Sequence, residues 1–257
     1  MSKLTFAFGR MNPMTIGHEV VMDKAKAVGG QNYRIYVSKS QDRKKNPLDY
    51  KQKIKYLKKI FPAHASKISD TPARTAIDVA VEAHDEGYTD LIMIAGSDRV
   101  GEFQKLLDQY NGVSGKRHGF YKFDSIKVIS AGERDPDASG ASGMSASKMR
   151  GAAADDNFDL FKTGLPDKFA NSKDALVLFR TVQKAMGIKT FKEWAEIDEG
   201  PFGRLVKSKA YAAAAKYFQQ FVKRGDKPAV ALHKAASTVK GVDERDLQTY
   251  LLKLKLL

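Results

Sequence analysis

The sequence predicts an α/β protein: a mostly parallel sheet covered by helices on both faces, followed by an added C-terminal helical region. Three observations carry this expectation. Two short, continuously apolar runs, Leu4-Thr5-Phe6-Ala7-Phe8 and Leu91-Ile92-Met93-Ile94-Ala95, have the length and uniformity of strands buried on both faces. Segments with apolar residues three and four apart separate such runs, as right-handed βαβ crossovers require. The chain of 257 residues is 42% hydrophobic and 29% charged, enough to bury one large core with an appendage.

Each element has a local reason. Gly9 ends the first strand, and Gly17 to Val28 follows as a helix with Val20, Val21, Ala25 and Val28 on its inner face. Tyr33 to Ser38 is a second strand. Pro47 suits the first turn of the next helix, whose stripe is Tyr50, Ile54, Leu57, Ile60 and Phe61, and Pro62 stops it. A weak strand over Ser66 to Ser69 precedes a helix over Thr75 to His84, ended by Gly87. After Leu91–Ala95 come a helix over Glu102 to Tyr110, a polar loop, and a bent strand within Phe120 to Ser130. These elements assign residues 1–165 to the α/β domain. Residues 166–202 form a helical extension and linker, with Leu176, Phe179, Val182 and Met186 on one side of a helix. Residues 203–257 form a basic helical module. Its helices carry Tyr211, Ala214, Ala215, Phe218 and Phe221, then the segment Pro228 to Val239, then Leu247, Tyr250, Leu251, Leu254 and Leu257 behind a cap at Asp243. Such stripes read more simply as bundle core than as a ligand platform.

Composition excludes several chemistries. There is no cysteine, hence no disulfide framework, thiolate metal site or cysteine nucleophile. Histidines are scattered without metal-ligand spacing. No apolar run is long enough to span a membrane, and the opening residues lack the pattern of a signal peptide, so the expected location is cytoplasmic with no membrane partner. The formal charge is +14, and from Gly203 onward 12 Lys+Arg face 4 Asp+Glu. That balance draws phosphorylated metabolites, nucleotides or nucleic acid, or serves solubility alone.

The unusual residues fall just beyond the predicted strands, where ligands of parallel sheets gather. In Gly9-Arg10-Met11-Asn12-Pro13-Met14-Thr15-Ile16-Gly17-His18, two glycines permit close backbone approach and a proline stiffens the loop. His18 enters a helix at its amino end, where free N–H groups favour an anion; it reads as a phosphate donor or as an ordinary capping residue. Thr15 points a hydroxyl toward the same space. The segment matches neither the Walker pattern nor the Gly-x-Gly-x-x-Gly turn. A second segment, Gly143-Met144-Ser145-Ala146-Ser147-Lys148-Met149-Arg150, begins a helix capped by Ser145 or Ser147. Lys148 and Arg150 sit in its first turn, against the helix dipole, which a bound polyanion would explain. The run from Gly132 to Gly143 reads as a loop able to order over a substrate.

Together these segments resemble the nucleotidylyltransferase superfamily marked by a His/Thr-x-Gly-His signature, which includes nicotinamide-nucleotide adenylyltransferases and cytidylyltransferases. Thr15 stands at the first histidine of that signature and His18 at the second. Met144-Ser145-Ala146-Ser147-Lys148-Met149-Arg150 is similar to the family's Ile-Ser-Ser-Thr-x-x-Arg sequence, Ala95-Gly96-Ser97-Asp98-Arg99 to its Gly-x-Asp segment, and Lys44-Lys45-Asn46-Pro47-Leu48 to the stretch after strand two. The resemblance spans about residues 3 to 165 and implies a Rossmann-like fold.

It also implies a reaction. An acceptor phosphate attacks the α-phosphorus of a nucleoside triphosphate, and pyrophosphate leaves. His18 and Thr15 would contact the transferring phosphates, and Ser145, Ser147 and Lys148 would hold the β and γ phosphates. Arg150 would neutralise developing charge, and Lys44 or Lys45 would span donor and acceptor. Gly9, Arg10, Met11, Asn12, Gly17 and Gly96 would line the nucleotide. Asp98 would reach the ribose or acceptor, with helix capping as its alternative. Mg²⁺ would ride on the triphosphate, without a protein metal site. The motifs lean toward ATP over CTP, with nicotinamide mononucleotide the leading small phosphorylated acceptor. A non-catalytic nucleotide- or nucleic-acid-binding or assembly module on the same fold is the other reading. The basic C-terminal region leaves a nucleic-acid or protein partner open, and a homo-oligomer is open as well.

Overall fold

The structure, a computed structural model, describes residues 2–114, 118–132, 143–188, 209–254 and 256–257. Most of the Gly132–Gly143 loop, the linker around residues 198–203 and the start of the helix expected from Leu205 lie outside the described residues. The chain divides into two compact units, Met1–Ile188 and Lys189–Leu257.

In the first unit four strands form one all-parallel sheet of order β2-β1-β3-β4: β1 (Lys3–Gly9), β2 (Tyr33–Val37), β3 (Asp90–Ala95) and β4 (Ser125–Ser130). Leu4 lies opposite Leu91 in the central β1–β3 pair, so both apolar runs belong to one Rossmann-like sheet. Helices α1 (Ile16–Gly29), α2 (Tyr50–Ile60), α3 (Ala76–Asp85) and α4 (Val100–Tyr110) connect the strands. Because strand side chains alternate, Ala7, Ile35 and Ile94 enter the core shared with α1 and α2, while Leu4, Phe6 and Met93 enter the core shared with α3 and α4.

Four details of the sheet and its connecting segments differ from the sequence reading. On α1 the inner positions are Met22 and Ala25, and Val20 is exposed; two of the valines, Val21 and Val28, only flank the core. Pro47 lies before α2, whose cap is Asp49, bonded to the Gln52 N–H at 2.8 Å. The expected strand at Ser66–Ser69 is instead a 3-10 turn over Pro62–Lys67 and a single parallel bridge, Ile35 to Ile68, which covers part of the β2 edge. The last strand begins only at Ser125 because the Asn111 side chain, accepting from Phe123 N–H (2.8 Å) and donating to its C=O (3.1 Å), takes the strand partner's place upstream.

Helices α5 (Ala146–Ala154), α6 (Phe158–Lys162), α7 (Asp167–Ala170) and α8 (Lys173–Ala185) complete this unit. Phe169, Ala175, Leu178, Phe179 and Val182 join the α1–α2 core, so the unit runs to Ile188 rather than ending near residue 165. On α8 the inward positions are Ala175, Leu178, Phe179 and Val182, whereas Leu176 is exposed.

The second unit has its own core, formed by α9 (Lys209–Lys223), α10 (Pro228–Thr238) and α11 (Glu244–Lys253). Tyr211, Ala214 and Phe218 pack with Ala231, Leu232, Ala235, Leu247, Tyr250 and Leu251. Asp243 caps α11 through the N–H groups of Arg245 (2.9 Å) and Asp246 (3.1 Å). No described helix is long and apolar enough to cross a membrane.

Candidate functional site

Parallel strands place the segments after β1, β2 and β3 at the same, carboxyl edge of the sheet. The β1–α1 segment is largely buried there. Met11 adopts a left-handed backbone (φ 46), and its side chain and that of Met14 are in the core, which holds the uncommon conformation. Asn12 is 2% exposed. Its Nδ2 donates to the Leu48 carbonyl at 2.9 Å and its Oδ1 accepts from the Leu48 N–H at 3.0 Å. The Asn12 side chain is thus a two-point tie between the first motif and the Lys44–Leu48 stretch.

Thr15 is the N-cap of α1. Its N–H donates to His18 Nδ1 at 2.9 Å, and its Oγ1 lies 3.0 Å from the same nitrogen. An Nδ1 that accepts from a backbone N–H must carry the lone pair, so the neutral ring bears its proton on Nε2. The capping and donor readings of His18 are therefore compatible: one ring nitrogen caps the helix and the other is an N–H donor. Ile16 N–H, one of the open donors of the helix, bonds to the Gly164 carbonyl at 2.9 Å.

Ser145 caps α5 by accepting from the Lys148 N–H at 3.0 Å, and Lys148 Nζ donates to the Gly143 carbonyl at 3.0 Å. Arg150 joins the two motifs. Its Nη1 donates to the Asn12 carbonyl at 2.7 Å and its Nη2 to Ser147 Oγ at 2.9 Å. Burial foremost, and then the charge of Arg10, pulls the Arg150 pKa below its ordinary value, against the opposing pull of Asp42. Two guanidinium groups therefore share one neighbourhood and, among the described residues, Asp42 is the carboxylate that acts on Arg150, an arrangement that attracts anions.

Asp42 also builds the loop after β2. Its Oδ1 accepts from the N–H groups of Lys44 (2.9 Å) and Lys45 (2.6 Å), and its Oδ2 from Asn46 Nδ2 (2.5 Å). These bonds hold the carboxyl below the usual carboxylate range. The Lys44 and Lys45 side chains are exposed. Beneath the loop, the fully buried Lys53 of α2 donates to the carbonyls of Ser38 and, at 3.0 Å, Ser40.

After β3, Gly96 opens a single turn, Ser97–Arg99. A Cβ on Gly96 would lie 2.8 Å from Asp98 Oδ1, so a larger residue there would turn the exposed Asp98 carboxylate away. Asp98 is exposed and does not cap α4; Arg99 holds that position without a side-chain cap bond. Hydrogen bonds thus join Ser147, Arg150, Asn12 and the Leu48 backbone, with the charge of Arg10 acting on Arg150, while Thr15 and His18 bond to each other a few residues along the same segment. Gly96 and Asp98 share the sheet edge without joining that network, and Gly9 lies at the base of the edge, its carbonyl accepting from Ser38 N–H at 2.9 Å. Gly17 follows Ile16 in the first turn of α1.

Sequence reasoning missed Asp42, Lys53 and Gly164. The signals were an aspartate four residues before an asparagine, a lysine at the core spacing of Tyr50, Leu57 and Ile60, and a glycine beside apolar helices. Among the described residues no three His, Asp or Glu side chains group as metal ligands. Two clefts of about 460 Å³ lie elsewhere, one along the start of β2 between Arg34, Lys67 and Glu86, the other on α9 beside Leu256. In comparisons with known proteins, no family model and no curated protein matches this chain.

Proposed function

We propose that the carboxyl edge of the sheet binds a nucleoside triphosphate, ATP in preference to CTP, and transfers its nucleotidyl group to a phosphomonoester with release of pyrophosphate. One observation carries the reading: Arg150 spans the two motifs, bonded to Ser147 Oγ and the Asn12 carbonyl, beside Arg10 and near a helix start that presents the Nε2–H tautomer of His18. Such a set offers donors and positive charge for phosphate oxygens, and the one hydroxyl beside the imidazole, Thr15 Oγ1, shares His18 Nδ1 with the Thr15 N–H. It suits a direct in-line displacement, in which positioning and charge stabilisation lower the barrier.

In this mechanism the acceptor oxygen forms its bond to the α-phosphorus as the bond to the bridging pyrophosphate oxygen breaks. The Nε2–H of His18 donates to the transferring phosphate, Arg10 and Arg150 neutralise the charge growing on the departing pyrophosphate, and Ser145 and Ser147 border its path. The exposed Lys44 and Lys45 meet the acceptor phosphate. Mg²⁺ would accompany the triphosphate as part of the substrate and would shield its charge.

The test is pyrophosphate release with ATP, CTP, GTP and UTP crossed against phosphomonoesters that include nicotinamide mononucleotide. ATP-dependent release that His18→Ala slows by about 10²–10³ is the expected result. Release with CTP alone would move the donor to the cytidine nucleotide. No release and no triphosphate binding by the folded protein would refute the reading.

A further inference from the structure

Lys53 is the buried cation that the proposed reaction leaves unused. Its side chain is fully buried, on the core face of α2 between Tyr50 and Leu57. Its ammonium donates to the main-chain carbonyls of Ser38 and Ser40, whose hydroxyls bond to each other at 2.7 Å. Ser38 in turn donates its N–H to the Gly9 carbonyl. The segment from residue 38 to residue 48 is therefore fixed at both ends by buried polar side chains, Lys53 at its start and Asn12 at Leu48, with Asp42 bracing the middle. That segment presents Lys44 and Lys45.

We infer that Lys53 is a positioning residue whose charged form holds the Lys44–Lys45 loop in place, so that binding of a triphosphate at this edge is linked to protonation of Lys53. The inference rests on the nucleotidyl-transfer reading of the same edge. Its physical basis is the imbalance around the ammonium. Asp49, at the cap of its own helix, is the only charged group among the described residues that acts on it; the segment after β2 faces it with carbonyls and hydroxyls. Desolvation accordingly pushes the pKa down to about 8, with Asp49 opposing. A polyanion at the loop stabilises the ammonium and raises that value, and by linkage the charged form binds the polyanion more tightly. A one-unit rise corresponds to about tenfold in affinity.

Calorimetric titration with ATP tests this on the full chain between pH 7.0 and 9.5, a range above the last ionisation of a terminal phosphate at about pH 6. The wild type is expected to lose about tenfold in affinity as the pH rises through 8. At pH 8.5, buffers of different ionisation enthalpy should reveal proton uptake on binding. Lys53→Arg, which keeps the charge, should bind at pH 7.0 like the wild type and stay flat to pH 9.5. Lys53→Met should bind weakly and equally at every pH; if it fails to fold, the wild-type proton uptake still reads the linkage. Tight binding by the wild type with neither pH dependence nor proton uptake would overturn the role of Lys53 and leave the phosphate site standing. No binding of ATP at pH 7.0 would remove both.

Discussion

Asn12 offers the sharpest separation of architecture from chemistry at this edge. Its carboxamide makes two hydrogen bonds to the Leu48 backbone, at 2.9 and 3.0 Å, in a site only 2% exposed. Asn12→Ala removes both partners and strands the Leu48 N–H and C=O away from water. Each stranded group costs about 1–3 kcal/mol, so the expected loss is about 2–6 kcal/mol. Asn12→Asp keeps the acceptor for the Leu48 N–H but opposes a carboxylate to the Leu48 carbonyl, and should fall in the same range at neutral pH. Urea unfolding followed by circular dichroism reads the change. With a slope of about 2 kcal/mol/M, a loss of 3 kcal/mol moves the midpoint down by about 1.5 M. Because Arg150 bonds to the main-chain carbonyl of the same residue, loosening this tie should also weaken ATP binding by at least about tenfold, roughly one hydrogen bond to a charged group. A variant within about 0.5 kcal/mol of the wild type, the range of an ordinary surface substitution, would refute the assignment of Asn12 as the tie between the two loops.

Three further outcomes are expected. His18→Ala should lose a cap worth about 1 kcal/mol and lower turnover by about 10²–10³, the effect of removing one donor from developing charge; steady-state rates at saturating ATP beside a urea curve distinguish the two, and full turnover would refute the donor role. Gly164→Ala would bring a Cβ within 2.6 Å of Met144 Cγ and 2.7 Å of Met149 Sδ, overpacking worth about 1–3 kcal/mol, visible as a melting point lowered by about 2–4 °C per kcal/mol. Lys53 has a folded pKa of about 8 against an ordinary 10.5, so above pH 8 the unfolded chain binds more protons and stability rises toward pH 10.5, by up to about 3 kcal/mol; Lys53→Met should show a slope smaller by that amount, and equal slopes would contradict the depressed value.

The sequence by itself determined the class of fold. Leu4–Phe8 and Leu91–Ala95 are apolar throughout except for Thr5, and strands buried on both sides accommodate such runs, so a parallel sheet with crossover helices followed from local chemistry. Helix caps such as Asp243 were legible for the same reason: the capping bond spans two or three residues. Thr15, His18, Ser145 and Arg150 were legible as site candidates because they lie beside those strand and helix ends. Only the tertiary structure decided where the first unit stops, because Phe169, Phe179 and Val182 join a core that also holds Ala7, Met22, Ile35 and Leu57, more than a hundred residues earlier. It alone turned the expected strand at Ser66–Ser69 into an edge cover and assigned the upstream half of the last strand to pairing with the Asn111 side chain. The ties Asn12 to Leu48 and Arg150 to Asn12 are of the same kind. The physical reason is that helical and strand periods, caps and breakers act over a few residues, whereas a buried donor selects its acceptor by proximity in the folded chain. Lys53 carries that contrast within one side chain: by composition it is one more surface cation, and it becomes a buried ammonium only once α2 is laid against the carboxyl end of β2.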